Sequence, residues 1–307
     1  MRLSLDGSEL AMLRVYVANF WEGAFKGDFF AWLLSEAVND KIIFVEKPAD
    51  AEVIFTSVFG SESIPREKNI TIIGENIRPN FALCSYSLSF DLDTYGGKNC
   101  YAPIWYAGIR WSDTNYQTSP NFKLAHGFEA LIPPACLQRS RQLIGNWQDK
   151  KFCCLIASNP EGLRTNLYFA LNKYKKVDGY GLMFSNPAFA SKFEIIEGYK
   201  FCLCPENSLH PGYVTEKLFH AWYGGAIPIW YGPIGNVGGL LNQNAYLNYS
   251  EFQDIEKFVR HIIDLDSNPR IYQELHGEPL LLKEPSIRDV VKFLQRAILE
   301  ILNHSRE

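Results

Sequence analysis

Short runs of β-branched and aromatic residues alternate with segments of helical periodicity, and this alternation limits the fold more than any other feature of the sequence. In the first half of the chain, four such runs predict strands, at residues 14–20, 41–45, 52–58 and 69–73. A helical pattern over 28–39 separates the first two runs. Because parallel strands need a long connection, usually a helix, this order predicts an α/β fold with a mostly parallel sheet.

The same rhythm restarts after a polar, proline-containing stretch at 132–150, where we place the boundary between two domains, 1–148 and 149–307. The second half has predicted strands at 151–157, 200–204 and 226–230, and predicted helices at 161–174, 215–223, 251–264 and 286–303. The last helix is amphipathic, and we expect it to pack back on the body, in one arrangement on the first domain, rather than to lie on a membrane. Two α/β units joined by a linker predict a cleft between them.

Composition excludes several classes of protein. Hydrophobic residues make up 47% of the 307 residues, which is too much for a disordered chain and enough for one large or two ordinary domains. The formal net charge of −4 argues against nucleic acid as the main partner. No uncharged apolar run approaches the ~18 residues of a membrane span, and the first twenty residues do not resemble a secretory signal. We therefore expect a cytoplasmic protein, in one version peripheral at the inner face of a membrane.

The seven cysteines bear on the same question. They are odd in number, lack C-x-x-C spacing and mostly lie inside apolar runs. This pattern favours buried, reduced thiols over disulfides or a metal site.

The segment 200–231 carries the strongest candidate site. A predicted strand leads into a polar loop with Glu206 and Asn207, and a helix begins after Thr215, a good N-cap residue. Ligands of open α/β sheets bind where strand ends meet helix N-termini, which favour anions. Lys217 in the first helical turn is unfavourable unless an anion lies beside it, and a bound phosphate would supply one. In the alternative interpretation, Lys217 is solvated and Glu206 caps a turn.

Two further strand ends carry candidate residues. Asn159 and Arg164 follow the strand 151–157, so Arg164 and Lys217 are placed to converge on one diphosphate, the first as a two-pronged donor and the second as a point charge. Glu75 follows the strand 69–73 of the first domain, where its carboxylate would face the predicted cleft. Taken singly, an arginine or a glutamate in such a place is more often structural.

The segment ENSLHPGYVTEKLFHAWYGGAIPIWYG resembles the donor-binding signature of the α-1,3/4-fucosyltransferases, glycosyltransferase family ten. Weaker matches follow in the same order through most of the chain, among them NFWEGAF, ADAEVIFTSVFGS, IGENIRPNF, SLSFDLD, APIWY and SNPEGLR. Together they cover roughly residues 14 to 265.

The resemblance implies a GT-B type fold, in which an acceptor-binding N-terminal and a GDP-fucose-binding C-terminal Rossmann-like domain face each other across a cleft. It also implies inverting transfer of L-fucose from GDP-fucose to a hydroxyl of N-acetylglucosamine or glucose, in a lactosamine-type oligosaccharide or a lipopolysaccharide-type acceptor, as an α-1,3 or α-1,4 linkage. No cofactor and no obligatory metal are expected.

The resemblance also assigns roles to individual residues, because the functional positions of the family's motifs match positions in this sequence. Glu75 matches the general base, which a single inverting displacement needs to take the acceptor proton. Arg164 and Lys217 match the pyrophosphate-binding pair, whose charge stabilises the departing GDP. The remaining predicted donor-binding residues are Asn207, Tyr213, Glu216, Glu206, Asn159 and Thr215. The predicted acceptor-binding residues are aromatic: Trp21, Trp105, Tyr106 and Trp111.

Two alternatives remain open at this point. In a metal-dependent GT-A type transferase, Asp91 and Asp93 would hold Mn²⁺ on a nucleotide diphosphate, although Asp264 and Asp266 repeat the pattern by chance. A nucleotide-sugar or glycan-binding protein without turnover would have a similar sequence. An NAD-linked dehydrogenase is disfavoured because no G-x-G-x-x-G follows the first strand.

Overall fold

The computed structural model describes residues 12–20, 25, 29–39, 41–111, 131–160, 162–186, 191–235 and 237–304. The chain divides into two compact units, each built on its own sheet. The first unit takes residues 1–107, 111–127 and 286–307, and the second takes 108–110 and 128–285. Two parallel-sheet α/β units confirm the predicted fold class.

The first unit contains a six-stranded, all-parallel sheet with strand order β2-β1-β3-β4-β5-β6. Its strands are β1 (Leu13–Ala18), β2 (Ile42–Phe44), β3 (Val53–Thr56), β4 (Asn69–Ile73), β5 (Tyr86–Ser89) and β6 (Asn99–Tyr101). Because the strands are parallel, all six end at the same edge of the sheet. Polar residues that follow β3, β4 and β5 are therefore brought to one edge.

Two helices pack in this unit, α1 (Phe29–Val38) and α8 (Arg288–His304). Helix α8 packs against α1 and against β3 and β6, although it comes last in the described chain. Its apolar residues recur at helical spacing and form one buried stripe: Val290, Phe293, Leu294, Ala297, Ile298 and Ile301. The sequence allowed for this helix to pack back on the first domain, and the structure places it there.

The second unit has a five-stranded parallel sheet with strand order β11-β10-β9-β7-β8. Its strands are β7 (Lys151–Ile156), β8 (Val177–Tyr180), β9 (Tyr199–Leu203), β10 (Ile227–Trp230) and β11 (Leu247–Asn248). Its helices are α2 (Gly162–Asn172), α3 (Lys192–Glu197), α4 (Glu216–Tyr223), α5 (Val237–Leu240), α6 (Ile255–Asp266) and α7 (Pro269–Gly277). Its core centres on buried rings such as Phe201, Phe258 and Tyr272.

The division between the units differs from the predicted boundary at 148/149, because the segment before it packs on the second unit. Leu137 is fully buried, and its carbonyl accepts a hydrogen bond from the Leu281 N–H. Arg141 donates to the carbonyls of His276 (2.7 Å), Ala226 (2.9 Å) and Trp222, and its guanidinium stacks over the Trp222 ring. A polar segment that looked like a linker is thus held on the second unit by a half-buried arginine.

All seven cysteines are free thiols, and five of them are buried. Within the described part of the chain, no helix combines the length and the apolar character that crossing a bilayer requires.

Candidate functional site

In the second unit, the segment that follows β9 forms a polar loop and then helix α4, as the sequence predicts. Thr215 is the N-cap residue, and its Oγ1 accepts a hydrogen bond from the Lys217 backbone N–H at 3.5 Å. The helix ends at Gly224, and the next residue, Gly225, has a left-handed backbone (φ +88°) that favours glycine. The N-terminus of α4 therefore lies at the same edge as the ends of β7 and β9.

Glu206 lies inside this loop and organises it. Its side chain is fully buried and accepts three hydrogen bonds: from the Thr215 N–H (2.8 Å), the Thr215 hydroxyl (2.7 Å) and Trp230 Nε1 (3.3 Å). Burial raises the pKa of the carboxyl above its usual range, although the Lys217 charge and the Thr215 donors oppose this. Glu206 and Thr215, both predicted to bind the donor, thus direct their polar atoms to each other and support the loop.

Lys217 lies beside two carboxylates of its own chain. Its Nζ is 3.6 Å from Glu206 Oε2, 3.5 Å from Glu216 Oε1 and 3.0 Å from the Thr215 hydroxyl. Burial disfavours the ammonium, but Glu216 and Glu206 outweigh it and raise the pKa of Lys217. The anion that the sequence argument required is therefore present in the chain itself. Lys217 is half-buried, with 29% of its side chain exposed.

Arg164, in the first turns of α2, ties the loop after β7 to the loop after β9. Its guanidinium donates to the Asn159 carbonyl (2.7 Å), the Asn207 side-chain carbonyl (2.5 Å) and the Pro205 carbonyl (3.4 Å). Its positive charge opposes the rise in the pKa of Lys217 that Glu216 and Glu206 cause. The structure thus brings together Arg164, Lys217, Asn159 and Asn207, as the sequence predicts.

The other predicted donor-binding residues differ in exposure. Asn159 and Asn207 are exposed, Glu216 is half-buried, and Tyr213 is buried with 3% exposure. The Tyr213 N–H donates to the His210 carbonyl at 3.0 Å, after Gly212 with a left-handed φ of +88°. Tyr213 therefore belongs to the packed part of the loop and does not offer an open ring face.

This edge of the second sheet suits an anionic ligand. Two cations from neighbouring strand ends, Arg164 and Lys217, lie near the N-terminus of α4, whose dipole adds positive potential. Of the two cations, Lys217 is half-buried, whereas Arg164 is 5% exposed and donates from both terminal nitrogens to carbonyl groups of the protein.

In the first unit, Glu75 stands two residues beyond the end of β4 and is exposed. The preceding Gly74 packs closely, since a Cβ there would lie 3.2 Å from Ile104 Cδ1. The Ile77 N–H donates to the Glu75 carbonyl at 2.7 Å and closes a tight turn. The carboxylate is therefore presented at the strand-end edge on a short, well-packed turn.

The two aspartates of the metal-dependent alternative are engaged elsewhere. Asp91 is 3% exposed; its Oδ2 pairs with Arg78 Nε (2.5 Å) and accepts from the Tyr95 hydroxyl (2.6 Å), and its Oδ1 accepts from the Asp93 N–H (3.1 Å). Asp93 Oδ1 accepts from the Tyr95 N–H at 2.8 Å. Burial alone would raise the pKa of Asp91, but these hydrogen bonds and the Arg78 charge lower it. Both carboxylates thus form a turn, and the structure does not support their role as metal ligands.

Among the described residues, no group of three or more His, Cys, Asp or Glu side chains has an arrangement that could hold a metal ion.

The predicted acceptor-binding aromatics are mostly not exposed. Trp105 and Tyr106 are 2% and 5% exposed, and their rings pack edge to face 4.5 Å apart in a short 3-10 helix. Their prediction as sugar-stacking residues is therefore wrong, because a strand-end aromatic can equally well turn inward. Trp111 is half-buried and donates from Nε1 to the Tyr106 carbonyl (2.8 Å). Trp21 lies outside the described residues.

Sequence reasoning missed three residues at this edge. Phe59, just beyond β3, is 48% exposed. Arg78 and Tyr95 join Asp91 in one hydrogen-bonded group. Two of them had a signal in the sequence: Phe59 is an aromatic residue that follows a strand, and Arg78 lies close to Glu75 in the chain. Tyr95 had no such signal, because its position depends on how the loop folds.

Two family models match the chain, and together they span more than half of it. The model described as glycosyltransferase family 10 (fucosyltransferase) C-term matches residues 147–277. The model described as alpha-(1,3)-fucosyltransferase FucT N-terminal domain matches residues 15–107.

Relatives and solved structures agree with these models. The chain is 27% identical over 291 residues to the alpha-(1,3)-fucosyltransferase FucT of Helicobacter pylori, covering 87% of this chain and 60% of that protein. It is 31% identical over 149 residues to the human 3-galactosyl-N-acetylglucosaminide 4-alpha-L-fucosyltransferase FUT3, covering 46% and 37%. It thus spans less than two thirds of these relatives. A solved α1,3-fucosyltransferase with GDP-fucose matches at a TM-score of 0.74 and 22% identity, covering 96% of this chain and 93% of that one, which supports a GT-B type fold.

Proposed function

Because the chain belongs to the α-1,3/4-fucosyltransferases of glycosyltransferase family ten, we propose that it transfers L-fucose from GDP-fucose to a hydroxyl of an acceptor sugar, with inversion at the anomeric carbon. The acceptor residue is N-acetylglucosamine or glucose, in a lactosamine-type oligosaccharide or a surface polysaccharide. The linkage formed is α-1,3 or α-1,4.

The convergence of Arg164 and Lys217 at the N-terminus of α4 carries this proposal. When the bond between fucose C1 and the phosphate oxygen breaks, the electron pair leaves with GDP, whose diphosphate gains negative charge. Fixed cations directed at that charge stabilise the transition state more than the ground state. The short hydrogen bonds of Arg164 to Asn159 and Asn207 hold it in place before the donor binds.

Glu75 acts as the general base in this mechanism. The acceptor oxygen attacks C1 from the face opposite GDP, a new C1–O bond forms, and the hydroxyl proton passes to the Glu75 carboxylate. An exposed carboxylate on a short turn suits this task, since an acceptor hydroxyl must come within hydrogen-bond distance of it. Arg164 and Lys217 neutralise the diphosphate, so the mechanism needs no metal ion.

Acceptor binding is assigned to the first unit. Trp111 and Phe59 keep part of their rings accessible, and aromatic faces stack on the apolar faces of sugars. We further propose a cytoplasmic location, with peripheral contact to a membrane that carries the acceptor. The support for the cytoplasm is the set of seven free thiols, which persist in a reducing compartment.

Incubation with GDP-fucose and separate acceptors tests the proposal. The acceptors are lactose and the type 1 and type 2 forms of N-acetyllactosamine, and each product is identified by mass and by its linkage. We expect a fucosylated product and stoichiometric GDP from at least one acceptor. Binding of GDP-fucose without product on the whole panel would indicate a binding protein instead.

A further inference from the structure

The segment 74–83, which is most of the connection between β4 and β5 and carries Glu75, is here called the base loop. Three side chains meet where it passes the end of β5. Arg78 Nε pairs with Asp91 Oδ2 at 2.5 Å, and Arg78 Nη2 donates to the Tyr95 hydroxyl at 2.6 Å. The Tyr95 hydroxyl in turn donates to Asp91 Oδ2 at 2.6 Å. Arg78, Asp91 and Tyr95 thus form a closed triangle, here called the clamp.

The part of the clamp that receives Arg78 is rigidly built. Tyr95 has a left-handed backbone (φ +48°), which a non-glycine residue rarely adopts, and Gly96 and Gly97 continue it at +67° and +88°. Asn99 Nδ2 donates to the carbonyls of Asp91 (3.0 Å) and Asp93 (2.8 Å) and holds this turn closed. The Tyr95 hydroxyl and the Asp91 carboxylate are therefore held in place by contacts that do not involve Arg78.

The base loop contacts the clamp at a second point. The Phe81 ring packs against the Tyr95 ring with centroids 5.2 Å apart, and Arg66 Nε donates to the Phe81 carbonyl at 2.8 Å. The loop is thus fastened at Arg78 and again at Phe81. Between β4 and Arg78, Glu75 lies in the tight turn that the Ile77 N–H closes.

We propose that Arg78, Asp91 and Tyr95 are positioning residues that hold the Glu75 carboxylate where the acceptor hydroxyl is deprotonated. This inference rests on the proposed function, because it assigns Glu75 as the base. It gives Asp91 a role in the reaction that involves no metal ion and no contact with substrate.

Geometry explains why an exposed base needs such a clamp. Arg78 is three residues from Glu75, a length of chain that spans at most ~10 Å. If Arg78 lost its contacts with Asp91 and Tyr95, the turn that carries Glu75 could shift by several ångströms. A misplacement of about 1 Å costs on the order of a hundredfold in rate. The Arg78 side chain is 43% exposed and the Asp91 side chain 4%. When Arg78 is removed, the buried Asp91 carboxylate keeps the hydrogen bonds from the Tyr95 hydroxyl and the Asp93 N–H, which limits the cost to global stability. Loss of the clamp should therefore appear in the rate of transfer more than in the melting temperature.

Single-turnover transfer at saturating acceptor tests the clamp in the full-length protein, with the acceptor that the panel above identifies. The variants are Arg78→Ala, Arg78→Lys, Asp91→Asn, Tyr95→Phe and the double variant R78A/D91N. Arg14→Ala is the matched control, because Arg14 also forms an ion pair in the first unit (3.6 Å to Glu52) but lies at the beginning of β1, away from the strand-end edge.

We expect Arg78→Ala and Asp91→Asn each to lower the rate constant about tenfold or more, with the KM for GDP-fucose within about twofold of wild type. The double variant should lose no more than the worse single variant, since both changes open the same clamp. Arg78→Lys should recover part of the rate, because it keeps the charge and loses the second donor. Arg14→Ala should transfer at the wild-type rate.

A wild-type rate in Arg78→Ala would overturn the inference, and so would a rate loss that follows a matching loss of melting temperature. If Arg78→Ala fails to fold, Tyr95→Phe decides, since it removes one hydroxyl only: a reduced rate supports the clamp and an unchanged rate overturns it. Failure of the proposed function looks different. An active Glu75→Gln variant contradicts the base itself, whereas an inactive Glu75→Gln with a fully active Arg78→Ala overturns only the clamp.

Discussion

At the scale of single residues, the sequence identified the charged groups of the candidate donor site but not their burial. Lys217 required a neighbouring anion, and the structure supplies Glu206 and Glu216 at 3.6 and 3.5 Å. Glu206 itself was expected to bind the donor and instead supports the loop from inside. Which polar atoms face a ligand depends on the path of the loop, which no local pattern specifies. For the same reason Trp105 and Tyr106 could not be distinguished from exposed aromatics.

Glu75→Gln should abolish transfer and leave GDP-fucose binding intact. The amide keeps the size of the side chain but cannot accept the acceptor proton. Turnover is measured with the acceptor panel, and GDP-fucose binding by titration calorimetry. Glu67→Gln is the matched control, since Glu67 is also exposed but precedes β4 at the opposite edge. Near-normal turnover in Glu75→Gln would remove Glu75 from its role.

Arg164→Ala should raise the activation free energy of transfer by about 2–4 kcal/mol, because a charge that stabilises the departing diphosphate is lost. This lowers kcat/KM on the order of 30- to 1,000-fold. Steady-state kinetics and the affinity for GDP measure this. Arg164→Lys should restore part of the loss, since it keeps a cation at the junction of the two loops. Lys173→Ala, which removes an exposed cation just beyond the end of α2, should have no effect; an equal loss there would point to general electrostatics.

At the scale of elements, the strands and helices that the sequence predicts are present within a few residues of their expected bounds. The strands it missed are short and partly polar: β5 reads YSLS, β6 reads NCY, β8 reads VDGY and β11 reads LN. None has the apolar run that marks a buried parallel strand, because backbone pairing and side-chain hydrogen bonds stabilise them. In β5 and β6, the hydroxyls of Ser87 and Ser89 both donate to Asn99 Oδ1 at 2.8 Å. Such partners are distant in sequence and become visible only in the fold.

Edge strand β8 should make stability depend on pH through Asp178. This carboxyl accepts hydrogen bonds from the Tyr199 hydroxyl (2.6 Å) and Lys151 Nζ (3.2 Å) and pairs with Lys176 Nζ (2.9 Å). Burial would raise its pKa, but these partners outweigh burial and lower the pKa from its ordinary value of 3.8 to about 2. The folded-state pKa is depressed, so the contribution to stability is present above about pH 4 and is lost as the pH falls toward 2.

Denaturant unfolding of wild type and Asp178→Asn between pH 6 and pH 3 checks this prediction. The difference in free energy of unfolding between the two should shrink as the pH falls. Asp264→Asn, which removes an exposed carboxylate on α6, is the control and should show a difference that does not vary with pH in this way. A constant difference for Asp178→Asn would contradict the assignment.

At the scale of the whole molecule, the formal net charge of −4 leaves anion binding to local groups of cations. The proposed donor site has one such group, Arg164 and Lys217, although Glu206 and Glu216 lie within 3.6 Å of Lys217. The two-unit organisation was predictable from the repeated strand–helix rhythm. The boundary was not, because the hydrogen bonds of Arg141 and the packing of α8 join residues that are distant in sequence.

Transfer should persist in excess EDTA, since two side-chain cations rather than a metal neutralise the diphosphate. Activity with the identified acceptor is compared in EDTA, without additions and with Mn²⁺ restored. Loss of activity in EDTA that Mn²⁺ restores would contradict a mechanism based on Arg164 and Lys217 alone.

The position of α8 has a consequence for synthesis on the ribosome. The first unit makes its strands from residues 13–101, yet the helix that buries Phe293 and Ile298 in the same unit begins at Arg288. At about 5–20 residues per second, the ribosome needs roughly 10 to 40 s to translate the intervening residues. The second unit, nearly continuous in sequence, is complete before α8 emerges. During this interval the nascent chain exposes the apolar surface of the first unit that α8 covers in the folded protein.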